Sequence, residues 1–128
     1  MPTTSVSVDG NNANDVYEPM SDRRDVADTD QIDYTFSNIP GSRRCLRVTN
    51  VNGLGEIALR ISLDSAVVPT DITDGDTTED NCHVIPAIAG AAQEFPLPGL
   101  KDHVRVKLTA SATTNVHIAL LAAMGPTY

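Results

Sequence analysis

The sequence predicts an all-β domain: a two-sheet antiparallel β-sandwich of about eight strands, jelly-roll-like or immunoglobulin-like, with an extended N-terminal arm. Three observations predict it. From residue 34 onward, apolar side chains recur at every second position, the period of a half-buried strand. Clusters of Gly, Pro, Asn and Ser interrupt these runs at the short intervals typical of sandwiches. No stretch after residue 34 shows the three-and-four spacing of an amphipathic helix.

Taken in order, the strand candidates begin with residues 34–37. Residues 43–51 follow, with Leu46 and Val48 on one face. In the run 56–63, Ile57, Leu59, Ile61 and Leu63 share a face, and Glu56, Arg60 and Ser62 take the other. Residues 66–69, 82–86 and 93–96 are weaker candidates. The run 103–109 points Val104, Val106 and Leu108 inward, and 115–122 does the same with Val116, Ile118, Leu120 and Ala122. Turn chemistry separates them. Ile39-Pro40-Gly41-Ser42 precedes the second candidate, and Pro98-Gly99-Leu100-Lys101 the seventh. Asn52-Gly53-Leu54-Gly55 and Ser111-Ala112-Thr113-Thr114 are expected to close hairpins.

The 128 residues suffice for one domain with its own core. Aromatic residues are 4% of the chain and Trp is absent, so that core is expected to be aliphatic. The organisation predicted is an arm over residues 1–33 and a sandwich over 34–128. The arm carries eight acidic residues (Asp9, Asp15, Glu18, Asp22, Asp25, Asp28, Asp30, Asp33) against Arg23 and Arg24, so most of the net charge of −8 lies there. A segment so polar gains little from burial, while ordering its backbone costs about 1–2 kcal/mol per residue. The arm is therefore expected to be ordered by the surfaces of neighbouring subunits.

The acidic balance argues against direct nucleic-acid binding, which draws on Lys and Arg. No apolar run reaches the ~20 residues of a membrane-spanning helix, and Met1-Pro2-Thr3-Thr4-Ser5 lacks the features of a signal peptide. Synthesis in a cytoplasm is the expectation. Cys45 and Cys82 then read as buried thiols, with a disulfide between them the lesser alternative.

Candidate chemistry is sparse. His83, His103 and His117 lack the close pairing of zinc ligands, and His103 and His117 read as outward positions on neighbouring strands. The acidic stretch 71–80 offers a weak calcium candidate in Asp71, Asp74, Asp76, Glu79 and Asp80, although its spacing departs from that of an EF-hand; a solvated loop is the plainer reading. No nucleophile elbow or phosphate-cradling loop occurs, so no catalytic residue, cofactor or metal is assigned. Arg43, Arg44 and Arg47, together with Arg105 and Lys107, form a basic counterpart to the acidic arm. The functional reading is a subunit interface in which a neighbour's Asp22, Asp25, Asp28 and Asp30 meet these cations. The plainer reading is solvated strand faces with intramolecular ion pairs. Tyr128 ends the chain as a possible interface anchor.

The layout resembles that of small structural proteins of tailed bacteriophage virions, the capsid decoration or cement proteins and minor capsid proteins. What carries the resemblance is a polar N-terminal segment followed by short strands near 44–51, 56–63, 80–86, 93–97, 102–109 and 114–122, with Phe95-Pro96-Leu97-Pro98-Gly99 before Val104-Arg105-Val106. It implies a non-enzymatic β-sandwich on the outer surface of a virion, bound to the major capsid protein and to copies of itself, commonly as a trimer, with arms that clamp neighbouring capsomers. The alternatives from other classes are a glycan- or surface-binding sandwich module, with or without calcium, and a tail or head-tail connector component.

Overall fold

A computed structural model describes residues 2–10, 20–39, 43–63, 67–72, 82–97 and 103–122; for Arg43, Arg44 and Ala122 the backbone alone is described. Among the described residues nine strands occur: β1 Thr3–Asp9, β2 Met20–Val26, β3 Gln31–Ser37, β4 Arg43–Asn50, β5 Ile57–Ser62, β6 Cys82–Ile85, β7 Ala91–Pro96, β8 Val104–Ala110 and β9 Thr114–Ala122. There is no α-helix among the described residues. The strands form a five-stranded sheet in the order β1-β3-β8-β5-β6 and a four-stranded sheet in the order β2-β9-β4-β7.

That order decides between the two sandwich families. The pairs β2–β9, β3–β8, β4–β7 and β5–β6 are all antiparallel ladders. The chain from β2 to β9 is thus one long antiparallel ribbon, folded back on itself between β5 and β6 and wrapped so that successive pairs alternate between sheets. Lateral ladders β4–β9 and β5–β8 close the wrap. This is a jelly roll. β1 adds to the outside of β3, and it is the parallel member of an otherwise antiparallel arrangement.

The alternation seen in the sequence places the core where it should be. Leu46 and Val48 of β4 sit opposite Leu120 and Ile118 of β9, all fully buried. On the facing sheet, Ile57 and Leu59 of β5, Val104, Val106 and Leu108 of β8, and Ile32, Tyr34 and Phe36 of β3 complete one continuous cluster. Burying a side chain of this size contributes about 1.5–3 kcal/mol relative to leaving it exposed.

Three expectations are corrected. Residues 1–33 do not divide from the domain as an arm. β3 runs across the 33/34 boundary, β1 extends one sheet and β2 extends the other, and Met20, Val26 and Ile32 are core residues. The polarity that hid β2 has a local cause. Its inward positions are Met20, Asp22, Arg24 and Val26, and the two charged ones bond to each other at the sandwich margin (Arg24 Nε to Asp22 Oδ2, 2.7 Å). Secondly, the segments 51–56 and 111–113 are not hairpins. β4 and β5 lie in opposite sheets, as do β8 and β9, so both segments cross the sandwich. Turn residues signal a reversal, not the sheet to which the chain returns. Thirdly, residues 67–69, proposed as part of a strand, belong to neither sheet.

Candidate interaction surface

Antiparallel alternation gathers four connections at one end of the jelly roll: 27–30, 51–56, 86–90 and 111–113. Their most buried polar residue is Asn50, at the last position of β4 and wholly inaccessible. Its Nδ2 donates to the carbonyls of Gly55 (2.8 Å) and Pro86 (2.9 Å), and its Oδ1 accepts from Gly53 N (3.0 Å). The buried Thr114 hydroxyl lies 2.9 Å from Asn50 Oδ1 and 2.6 Å from Asn52 Oδ1, which share its one proton. The same hydroxyl accepts from Leu54 N at 3.3 Å. One amide side chain thereby ties together the crossings β4–β5, β6–β7 and β8–β9.

The loops interlock closely enough to dictate residue type. Gly53 has φ +68°, and a Cβ there would lie 2.2 Å from Ala89 N. Gly55 sits against the backbone of Ala112, where an added Cβ would come within 2.5 Å. Backbone bonds from Gly90 N to Asn50 O and from Ser111 N to Glu56 O complete the frame. On it stand two large apolar side chains, Leu54 (66% exposed) and Ile88 (61% exposed), with Pro86, Ala87 and Ala89 exposed beside Ile88. A rigid backbone that holds isoleucine and leucine out in water is a surface shaped for contact, because little conformational freedom is lost when it is covered.

The charged residues singled out from the sequence are distributed differently. Arg47 is exposed on the four-stranded sheet and pairs with Glu94 of β7 through Nε (3.0 Å) and Nη2. Arg105 and Lys107 lie on the outer face of the other sheet. Arg105 bonds Asp33 at 2.8 Å, and Lys107 Nζ bonds Asp71 Oδ1 at 2.5 Å. The described cations therefore form no continuous stripe: Arg47 and the Arg105–Lys107 pair sit back to back on opposite sheets, each joined to a carboxylate of its own chain. The side chains of Arg43 and Arg44, and Tyr128 as a whole, lie outside the described residues.

Asp22, Asp25 and Asp30 are likewise used internally. Asp22 accepts from Arg24 and from the Tyr34 hydroxyl (2.9 Å). Burial would raise its pKa, but the hydrogen bonds from Arg24 and Tyr34 outweigh burial and hold it below the usual carboxylate value. Tyr34, buried and facing that carboxylate, has its pKa raised far above the ordinary tyrosine value. Asp25 accepts from Asn115 Nδ2 at 3.0 Å. Asp28 is exposed in the β2–β3 turn, and Asp30 accepts from Gln31 N and from the Thr4 hydroxyl, fastening β1 to that turn.

Asp71 straps the segment 67–72 over the outer face of the five-stranded sheet. Beside its bond to Lys107 it accepts from Gln31 Nε2 (3.1 Å), while Gln31 Oε1 accepts from Ile72 N (2.8 Å) and Arg60 Nη1 donates to Asp71 O (2.9 Å). Hydrogen bonds from Lys107 and Gln31 lower the Asp71 pKa. Of the calcium candidates Asp71 alone is described, and it is engaged in this way; Asp74, Asp76, Glu79 and Asp80 fall outside the described residues. Among those described, no group of three His, Cys, Asp or Glu side chains is placed to hold a metal ion.

Cys45 and Cys82 are free thiols on different sheets and half-buried rather than buried. Burial, and then the charge of Glu94, raise the Cys45 pKa. His103 directly precedes β8 and His117 lies within β9; these strands belong to opposite sheets, so the expected pairing of the two on neighbouring strands does not exist. His117 has its pKa lowered by burial and by Arg23, and His83 meets the Phe95 ring edge-on at 4.9 Å.

No family model matches the sequence, and no curated protein matches it.

Proposed function

We propose that the protein is a structural virion component, a capsid decoration protein that docks on the major capsid protein through its short-loop end. The observation that carries this reading is the pairing of Leu54 and Ile88, both largely exposed, with the buried Asn50–Thr114 network that fixes the backbone beneath them. The jelly roll supports it as an architecture much used in viral capsids, although the fold serves lectins and cupins as well and does not by itself assign a function.

The docking contact differs from the arm-mediated clamp expected from the sequence, because residues 3–9 and 20–33 are committed to the two sheets. Charge distribution favours the same orientation. In sequence, the connecting segments 10–19, 38–42, 63–81 and 97–103 contain nine acidic residues and Lys101 as their one cation. At the short-loop end, 51–56, 86–90 and 111–113 hold Glu56 as their one charged residue, and 27–30 adds Asp28 and Asp30. Docking through this end, with three carboxylates beside Leu54 and Ile88, keeps most of the chain's 17 acidic residues out of the contact.

The test is co-sedimentation of the full chain with purified phage capsids, comparing wild type with the double variant Leu54→Asp/Ile88→Asp. Wild type is expected to pellet at a fixed ratio per capsomer with weak dependence on salt, and the variant to remain in the supernatant while retaining its melting temperature. Absence of wild-type binding, or undiminished binding by the variant, would overturn the proposal. Imaging of the complex separates shell from neck, since connector rings impose twelvefold or sixfold symmetry.

A further inference from the structure

Among the described residues the two sheets have four edge strands, and three of these edges are blocked. β2 presents Asp22, Arg23, Arg24 and Asp25. β7 carries Glu94 and ends on Pro96. β6 is four residues long. Charges, proline and brevity are the usual devices that stop one sheet from adding to another. The fourth edge, β1, has none of them over Thr3-Thr4-Ser5-Val6-Ser7-Val8, six residues with no charge, no proline and no break in register with β3. Thr3, Thr4, Ser5 and Ser7 are exposed, and Val6 and Val8 are half-buried against the core.

The hydrogen-bonding direction of this edge follows from one contact. Gln31 N donates to Pro2 O at 2.9 Å, so the even-numbered residues of the strand turn their backbone groups toward β3. Backbone groups alternate along a strand, and those of Thr3, Ser5, Ser7 and Asp9 therefore point away from the sheet.

We infer that β1 is a self-association edge, at which two copies of the chain pair antiparallel, β1 to β1, across a twofold axis and join their five-stranded sheets into one. The argument for a second copy is charge and register. The molecule carries a net charge of −8, so any self-contact must avoid apposing its acids, and β1 has a single acid at its end, Asp9. An antiparallel register centred on Val6 sets Thr3 opposite Asp9 and Ser5 opposite Ser7. It brings Ser5 and Ser7 of each copy into facing ladder positions, for about four backbone hydrogen bonds across the axis. Val6 then meets its symmetry mate on the core side, and the two Asp9 carboxylates lie about 20 Å apart, beyond the screening length at physiological salt. A parallel register would set Asp9 beside Asp9. The contact is isologous, as a twofold dimer requires.

This inference is independent of capsid binding and is tested on the isolated full chain by sedimentation equilibrium. Ser5→Pro removes an N–H that points out of the sheet, leaves every β1–β3 bond in place, and sits where the preceding Thr4 is already extended. Wild type is expected to show a reversible monomer–dimer equilibrium, and Ser5→Pro to weaken it at least about tenfold without changing the melting temperature. Ser7→Lys, which places a charge on the same edge, is expected to do the same, and it decides the matter if the proline variant proves unstable. A wild type that stays monomeric at its highest soluble concentration, a trimer, or a dimer unaffected by the edge variants would overturn the inference.

Discussion

Replacing Asn50 by alanine tests whether a single side chain holds the short-loop end together. The substitution removes two donated and two accepted hydrogen bonds at a site with no solvent access. The four do not weigh equally. The Gly55 carbonyl is stranded inside the protein, at about 2 kcal/mol for an unsatisfied buried acceptor. The Pro86 carbonyl and the Gly53 N–H lie nearer the surface and can be rehydrated, and the Thr114 hydroxyl keeps Asn52 Oδ1 as an acceptor. These three together add about 1 kcal/mol.

A total near 3 kcal/mol converts to a melting temperature about 11 °C lower, taking roughly 2.1 cal/mol/K of unfolding entropy per residue over the 128 residues. Calorimetry or far-ultraviolet circular dichroism reads this directly. Asn50→Asp is a sharper probe, because it keeps both accepted bonds and turns the donor into a carboxylate facing two carbonyls. At neutral pH it should destabilise more than alanine does. Burial against two carbonyls raises the pKa of that carboxyl, so part of the loss should return as pH falls toward the ordinary aspartate value, where the carboxyl regains a proton. A drop of less than about 3 °C for Asn50→Ala would show that the loops are held by their own backbone contacts, and the network argument would fail.

Other consequences are simpler to measure. Tyr34 is raised above its ordinary value of 10.0 by burial and by Asp22, so the stabilisation it provides is present below pH 10 and lost as pH rises beyond it. Tyr34→Phe is expected to cost about 1–1.5 kcal/mol at neutral pH through the lost bond to Asp22, and to flatten the alkaline limb of the stability curve; an unchanged limb would refute this. Asp71 is lowered from 3.8, so its contribution is complete above that pH and disappears as pH falls further. The difference in melting temperature between wild type and Asp71→Asn should therefore hold steady at neutral pH and shrink in acid, and a constant difference down to the acid transition would count against the strap over the five-stranded sheet. Cys45 and Cys82 should both titrate with a thiol reagent once the chain is denatured without reductant, and in the native state Cys45 should react slowly because its thiolate is disfavoured.

Much of the sandwich was legible because its central strands are buried on one face and alternate cleanly. Ile57, Leu59, Val104, Val106, Leu108, Ile118 and Leu120 all point where period-2 reading puts them. β1 and β2 were not legible as strands, for different reasons. β1 does alternate through Val6 and Val8, but its other positions are Thr, Ser and a final Asp9, and the acidic stretch that follows made the whole segment look unstructured. β2 places an ion pair at two of its four inward positions, which hides the period. The Asn50 site was beyond sequence reading for a topological reason. Its partners Gly53 and Gly55, Pro86, and Thr114 at the start of β9 lie on three separate stretches of chain that become neighbours once the ribbon has wrapped. A visible signal was the Asn52-Gly53-Leu54-Gly55 turn, in which a leucine stands between two glycines.

The wrapping explains why the two ends of this molecule differ. In a jelly roll each crossing between sheets must span the thickness of the core, roughly 10 Å, and the shortest of those described here manages it in the three residues 111–113. Short crossings leave backbone donors and acceptors with few partners of their own kind, and a buried amide with both a donor and an acceptor is the side chain that satisfies several at once. Asn50 fills that need, and Gly53 and Gly55 let the neighbouring loops close over it. What remains for the exposed positions is free of structural duty. That Leu54 and Ile88 occupy them, in a chain with so much polar sequence elsewhere, is the reason to look for a partner at this end rather than along the charged faces, where Arg47, Arg105 and Lys107 already have carboxylates of their own.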